Sequence, residues 1–220
     1  MGSLAQTNTA MRRKTVFLFD VDNTLLDNDR VTADLRDHLE REVGHERQER
    51  YWSIFEELRA EVGYADYLGA LQRYRASYPR DLHVLTVSHF LLEYPFHERL
   101  FPNALEVVNG VKQDAVPVIL SDGDVVFQPH KIRRSGLYDA FAGAVLIYVH
   151  KEFELEDAAQ RFPADHYVLV MTNYVSWPRL KMSGMNMSRP YSCDRVITRM
   201  TTRQSAATDL PITQSSASQI

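Results

Sequence analysis

Val16-Phe17-Leu18-Phe19-Asp20-Val21-Asp22-Asn23-Thr24-Leu25-Leu26 is an apolar run that stops on two carboxylates one residue apart. The run reads as a strand buried on both faces, as in a parallel sheet. A buried strand has no reason to end in paired negative charge unless the pair faces an open crevice. In open α/β sheets that crevice lies at the carboxyl ends of the strands. Two carboxylates there repel each other and attract a hard cation such as Mg²⁺, which takes oxygen ligands. The stretch points to a metal-assisted site with a carboxylate nucleophile.

Further strands are predicted at Thr15–Phe19, 116–120, 144–148 and 167–170, each short and rich in apolar or β-branched residues. Helical stretches at 129–135 and 153–161 separate the later ones, and this alternation predicts a parallel sheet with helices on both faces. Between the first two strands the chain reads as all helix. Thr32 is expected to cap a first helix carrying Leu35, Leu39 and Val43, which Gly44 ends. A second carries Trp52, Phe55, Leu58 and Val62 and ends at Gly63. A third carries Tyr67, Leu71, Tyr74 and Tyr78, an aromatic stripe read as packing, and a fourth covers about 84–93 before Pro95. The segment far exceeds an ordinary loop of about 2–6 residues. The expected architecture is α/β: a Rossmann-like doubly wound parallel sheet with an inserted all-helical cap. The core is 14–27 and 100–170, the cap 28–99, with hinges near 27–30 and 95–102. Residues 1–13 read as a disordered leader, with Met11 an alternative start. After Val170 the hydrophobic periodicity stops, and 171–220 reads as an atypical, poorly ordered tail.

The chain has 220 residues and a net charge of −4, which gives no basic field for nucleic acid. Its single cysteine, Cys193, excludes an internal disulfide framework and fits a reducing cytoplasm. No apolar run is long enough to span a bilayer. Met1-Gly2 is followed by Gln6 where a myristoylation signal needs Ser or Thr, so that reading is rejected. No membrane or nucleic-acid partner is expected, and the oligomeric state is open.

Asp-x-Asp-x-Thr-Leu after an apolar strand resembles the first motif of the haloacid dehalogenase-like hydrolase superfamily, and the resemblance runs in order through residues 15–170. It implies that Asp20 is the nucleophile that forms an aspartyl-phosphate. Asp22 would be the general acid/base. Mg²⁺ would be bound through Asp20 and the backbone carbonyl of Asp22, and Thr24 would orient the loop. Ser121, after Val118-Ile119-Leu120, matches the second motif, whose hydroxyl binds the phosphoryl group. Asp122-Gly123 supplies a turn whose N–H groups are expected to face phosphate. Lys151 matches the lysine of the third motif, a point cation between nucleophile and phosphoryl group. The rival, Lys131, lies in the basic run Lys131-Ile132-Arg133-Arg134, read as a solvated face. Dehalogenases of the superfamily lack the second carboxylate, so Asp22 favours phosphoryl transfer. The implied function is Mg²⁺-dependent hydrolysis of a small phosphorylated metabolite. A phosphomutase or an inactive, binding-only product are the alternatives. Tyr51, Trp52, Tyr64 and His89 are open as cap contacts, core or surface.

The fourth motif of that superfamily puts acidic residues just after the strand at 167–170. Here the chain reads Met171-Thr172-Asn173, and nothing acidic follows until Asp194. The codons read one base earlier offer an account. Met171-Thr172 then contains GAC, which encodes Asp, and Met171 to Pro178 permits Asp-Asp-Lys-Leu-Arg-Ile-Leu-Ala. Met187 to Thr198 permits Val-Thr-Thr-Val-Phe-Val-Arg-Gln-Gly-His-Tyr, which resembles a fifth strand and the loop after it. The expectation is that a base was lost near the Val170 codon, that 171–220 is out-of-frame translation, and that the loss impairs the activity.

Overall fold

The computed structural model describes residues 15–172, together with the backbone of 185–188 and 196–202. The leader expected at 1–13 and most of the segment 171–220 lie outside the described residues.

β1 (Thr15–Phe19) runs into the loop carrying the two carboxylates. Four helices follow: α1 (Asn28–Val43), α2 (His45–Val62), α3 (Tyr67–Ser77) and α4 (His83–Glu93). α1 starts one turn earlier than Thr32 suggests. Its N-cap is Asp27, whose carboxylate accepts the Arg30 N–H at 2.9 Å. Thr32 lies within the helix and its hydroxyl donates to the Asn28 carbonyl. Val31, Leu35 and Leu39, spaced by four, form the buried stripe of α1. Burial of each such side chain stabilises the fold by about 1.5–3 kcal/mol. α2 stops at Gly63, whose φ of 86° is a left-handed conformation that costs glycine no steric strain. Tyr51, Trp52, Tyr67 and Tyr74 are buried among these helices, so the aromatic stripe is packing at Tyr74, while Tyr67 also lines the cavity between these helices and the sheet. Tyr78 is half-buried against it.

A 3₁₀ turn (Phe96–Arg99) leads back to the sheet. α5 (Ala104–Asp114) precedes β2 (Val116–Asp122), α6 (Phe127–Arg134) and α7 (Leu137–Ala140) precede β3 (Val145–Tyr148), and α8 (Leu155–Arg161) precedes β4 (His166–Met171). These four strands are parallel, in the order β3-β2-β1-β4. The order reverses beside β1, which puts the switch-point crevice at the ends of β1, β2 and β4. Strand alternation splits the core in two. Phe19 and Ile119 pack with α5, α6, α7 and the helical insertion on one face. Val16, Leu18, Val118, Leu120 and Leu169 pack with Leu155 and Ala158 of α8 on the other. The expected α/β doubly wound class is what the chain adopts.

The sequence leaves β4 an open edge unless the following segment pairs with it. Backbone of that segment does: β5 (Met185–Ser188) and β6 (Val196–Thr202) are antiparallel to each other, and β6 is antiparallel to β4. Among the described residues no helix is long and apolar enough to cross a membrane.

Candidate active site

Asp20 continues the ladder beyond β1, its N–H donating to the Val170 carbonyl at 2.9 Å. The loop after it is tightly wound. The Val21 carbonyl accepts the N–H groups of Thr24, Leu25 and Leu26. Asn23 takes a positive φ of 57°, which asparagine tolerates because its side chain bonds locally. That side chain accepts the N–H groups of Asn28 and Asp29 and so ties the loop to the first turn of α1.

Asp20 is 9% exposed, and its Oδ1 accepts Lys151 Nζ at 2.5 Å. Thr24 Oγ1 donates to its Oδ2 at 3.3 Å. Burial raises the Asp20 carboxyl above the usual aspartate value, the Lys151 ammonium pulls it down, and repulsion from Asp22 adds to the rise. For Lys151, burial pulls the ammonium down, but the carboxylates of Asp20 and Asp122 outweigh this and lift it above an ordinary lysine. Lys151 is therefore a fixed positive charge beside Asp20.

Asp122 holds that charge in place. Its Oδ1 accepts the Lys151 N–H at 2.7 Å and its Oδ2 lies 3.2 Å from Lys151 Nζ. Its carboxylate thus serves the lysine. The turn after it also departs from expectation: the Gly123 N–H donates to the Tyr148 carbonyl at 3.1 Å, so β3 takes the group expected to face phosphate. Gly123 is required for another reason. Its φ is 154°, and a Cβ there would lie 2.6 Å from Gln128 Cβ. Ser121 is buried at the end of β2, and its Oγ accepts Gln128 Nε2 at 2.8 Å.

Asp22 is the more open carboxylate, its side chain 31% exposed. Lys131 Nζ donates to its Oδ1 at 2.5 Å, and Gln128 Nε2 reaches its Oδ2 at 3.4 Å. The solvated-face reading of the run 131–134 is therefore corrected at one residue. Arg133 and Arg134 are exposed, but Lys131 is only 1% exposed and also donates to Asn28 Oδ1 at 3.3 Å. Gln128 and Lys131 stand three apart on α6, hence on one face, between buried Phe127 and Ile132. Two polar residues on the buried face of a short helix were the available signal for them.

Asp20, Asp22, Ser121, Asp122, Gln128 and Lys151 line one cavity of about 460 Å³ between the sheet and the helical insertion, with Lys131 behind Asp22. From the insertion, Trp52 and Tyr64 also face it, whereas Tyr51 is core and donates to the Tyr67 carbonyl. His89 is exposed and does not line the cavity.

Mg²⁺ fits these residues poorly. The described side chains include no group of three acidic or imidazole ligands arranged to hold a metal. All four carboxylate oxygens of Asp20 and Asp22 already accept from a side chain. The residue at the end of β4 that lines the cavity is Met171, a thioether. A hard cation takes oxygen and not thioether sulfur.

Comparison with known proteins agrees with the fold. A family model described as haloacid dehalogenase-like hydrolase matches residues 14–169. Among solved structures, a haloacid dehalogenase-like hydrolase from Burkholderia xenovorans LB400 is 58% identical, with a TM-score of 0.69, over 71% of this chain and 73% of that one. A haloacid dehalogenase-like family hydrolase from Xanthomonas campestris, 18% identical with a TM-score of 0.53 over 71% of each chain, shares the fold. No curated protein matches. The chain belongs to the haloacid dehalogenase-like hydrolases.

Proposed function

We propose that this chain carries the residues of a phosphohydrolase for a small phosphorylated metabolite, with Asp20 as nucleophile and Asp22 as acid/base. The observation that carries the reading is the unequal setting of the two carboxylates. Asp20 is enclosed and clamped by a charged lysine, and Asp22 opens on the cavity. A buried carboxylate stripped of water is a suitable nucleophile, and a partly solvated one can exchange protons.

In the first step an Asp20 oxygen bonds to phosphorus as the phosphorus–oxygen bond to the alcohol breaks. Asp22 gives its proton to the departing oxygen. In the second, water attacks the aspartyl-phosphate, Asp22 takes the water's proton, and inorganic phosphate leaves. Lys151 and Ser121, which line the same cavity, stabilise charge on the phosphoryl oxygens in this reading. The helical insertion limits the size of the alcohol and keeps water out when it closes.

The test is hydrolysis of p-nitrophenyl phosphate by the purified chain, with Asp20→Asn as control. A rate above the control, together with acid-stable labelling of Asp20 by ³²P substrate, supports the reading. Equal rates and no labelled Asp20 overturn it and leave a binding-only protein. Transfer of the label to a sugar in preference to water would identify a phosphomutase.

A further inference from the structure

We infer that the crevice is a divalent-cation site with one corner removed, and that the missing ligand position is residue 171. Strand register sets which residue faces Asp20. β1 and β4 pair in parallel, Phe19 level with Val170, and the Asp20 N–H extends that ladder to the Val170 carbonyl. Level residues on parallel strands send side chains to the same face. Phe19 and Val170 share one face of the sheet and Leu18 and Leu169 the other, as this requires. The residue level with Asp20 is Met171. It is 3% exposed, lines the cavity with Asp20 and Asp22, and packs its inner side among the residues under α8.

In this chain the next residue does not replace it. Thr172 is turned onto the carboxylate loop, its N–H donating to Thr24 Oγ1 at 3.1 Å and its hydroxyl to the Asn23 carbonyl at 2.8 Å. Position 171 is thus the place on β4 from which an oxygen ligand would meet those of Asp20 and Asp22. A thioether there offers a hard cation nothing. The positive charge the carboxylates need is supplied by two fixed ammonium groups, Lys151 on Asp20 and Lys131 on Asp22. Sequence points independently to this strand end: the family match stops at residue 169, and the codons read one base earlier permit an aspartate at 171, with the aspartate that GAC encodes falling at 172.

The experiment is a Mn²⁺ titration of the full chain without substrate, read by the free-Mn²⁺ electron paramagnetic resonance signal. The original chain is expected to show no binding that Asp20→Asn abolishes. Met171→Asp is expected to bind at least about tenfold more tightly, and Asp20→Asn in that background to lose the gain. Micromolar Mn²⁺ binding by the original chain that depends on Asp20 would overturn the inference. So would a folded Met171→Asp with no gain. If Met171→Asp does not fold, the comparison of the original chain with Asp20→Asn still decides. Because no substrate is present, the outcome is separate from whether the chain hydrolyses phosphate esters.

Discussion

Lys131 and Asp22 are 109 residues apart in the chain and meet at 2.5 Å, the ammonium buried and the carboxylate a third exposed. The pair joins α6 to the carboxylate loop and fixes the direction of the Asp22 carboxylate. It differs from the Lys151–Asp20 pair, in which both groups are enclosed.

Replacing Lys131 therefore separates stability from activity. Lys131→Met keeps the volume and removes a buried charge, and the exposed side of Asp22 can turn to water. Thermal stability is expected to be unchanged or slightly higher, since replacing buried charge by packing is often neutral or stabilising. Phosphatase rate is expected to fall about tenfold or more, because a misdirected acid/base loses much of its contribution. Thermal melts and initial rates, in the original chain and in Met171→Asp, check both. An unchanged rate would reduce Lys131 to a structural residue.

Gly123 gives a purely steric prediction. Gly123→Ala sets a methyl 2.6 Å from Gln128 Cβ in a backbone conformation that alanine resists. The expected cost is about 1–3 kcal/mol in urea denaturation. Because Gln128 contacts both Ser121 and Asp22, the rate should fall with it. A variant as stable as the original would show that the turn has room to relax.

His38 makes stability depend on pH. Its ring stacks on Phe90 at 4.3 Å, and its Nε2 has no hydrogen-bond partner among the described residues. Burial holds the imidazole below its ordinary value of 6.5, with Glu42 pulling the other way. The unfolded chain therefore binds the proton more readily. This contribution to stability is complete above 6.5 and is lost as pH falls through the lower folded value. The slope from one such group cannot exceed about 1.4 kcal/mol per pH unit. His38→Leu should flatten it in urea midpoints measured on either side of 6.5. An identical slope in the variant would assign the effect to other groups.

The reading frame is open to direct inspection. The coding DNA is expected to carry one base fewer near the Val170 codon than the genes of relatives that retain the acidic residues. Restoring the base should give a protein with Asp at the end of β4, Asp20-dependent metal binding and faster turnover. Relatives that share the Met171-Thr172-Asn173 tail in frame would refute the proposed loss.

Local pattern carried the first motif because everything it needs is local. A run of apolar residues makes β1, a spacing of one brings Asp20 and Asp22 to the same loop, and Thr24 closes that loop on Asp20. Lys151 was legible because it follows a recognisable strand. Lys131 was not, since its character depends on how α6 is rotated about its axis. Arg133 and Arg134 on the same short helix do face water. The Gly123 N–H was misjudged for a similar reason: whether a turn amide is free depends on the neighbouring strand, here β3.

Sequence alone determined the parallel sheet, the inserted helices and the paired carboxylates, because strand burial and residue spacing follow from nearest neighbours. Tertiary structure decided which charges meet. Lys151 reaches Asp20 across 131 residues, Lys131 reaches Asp22 across 109, and Met171 stands level with Asp20. Those relations come from strand register and helix rotation, which are set by packing the whole core and which no single segment contains.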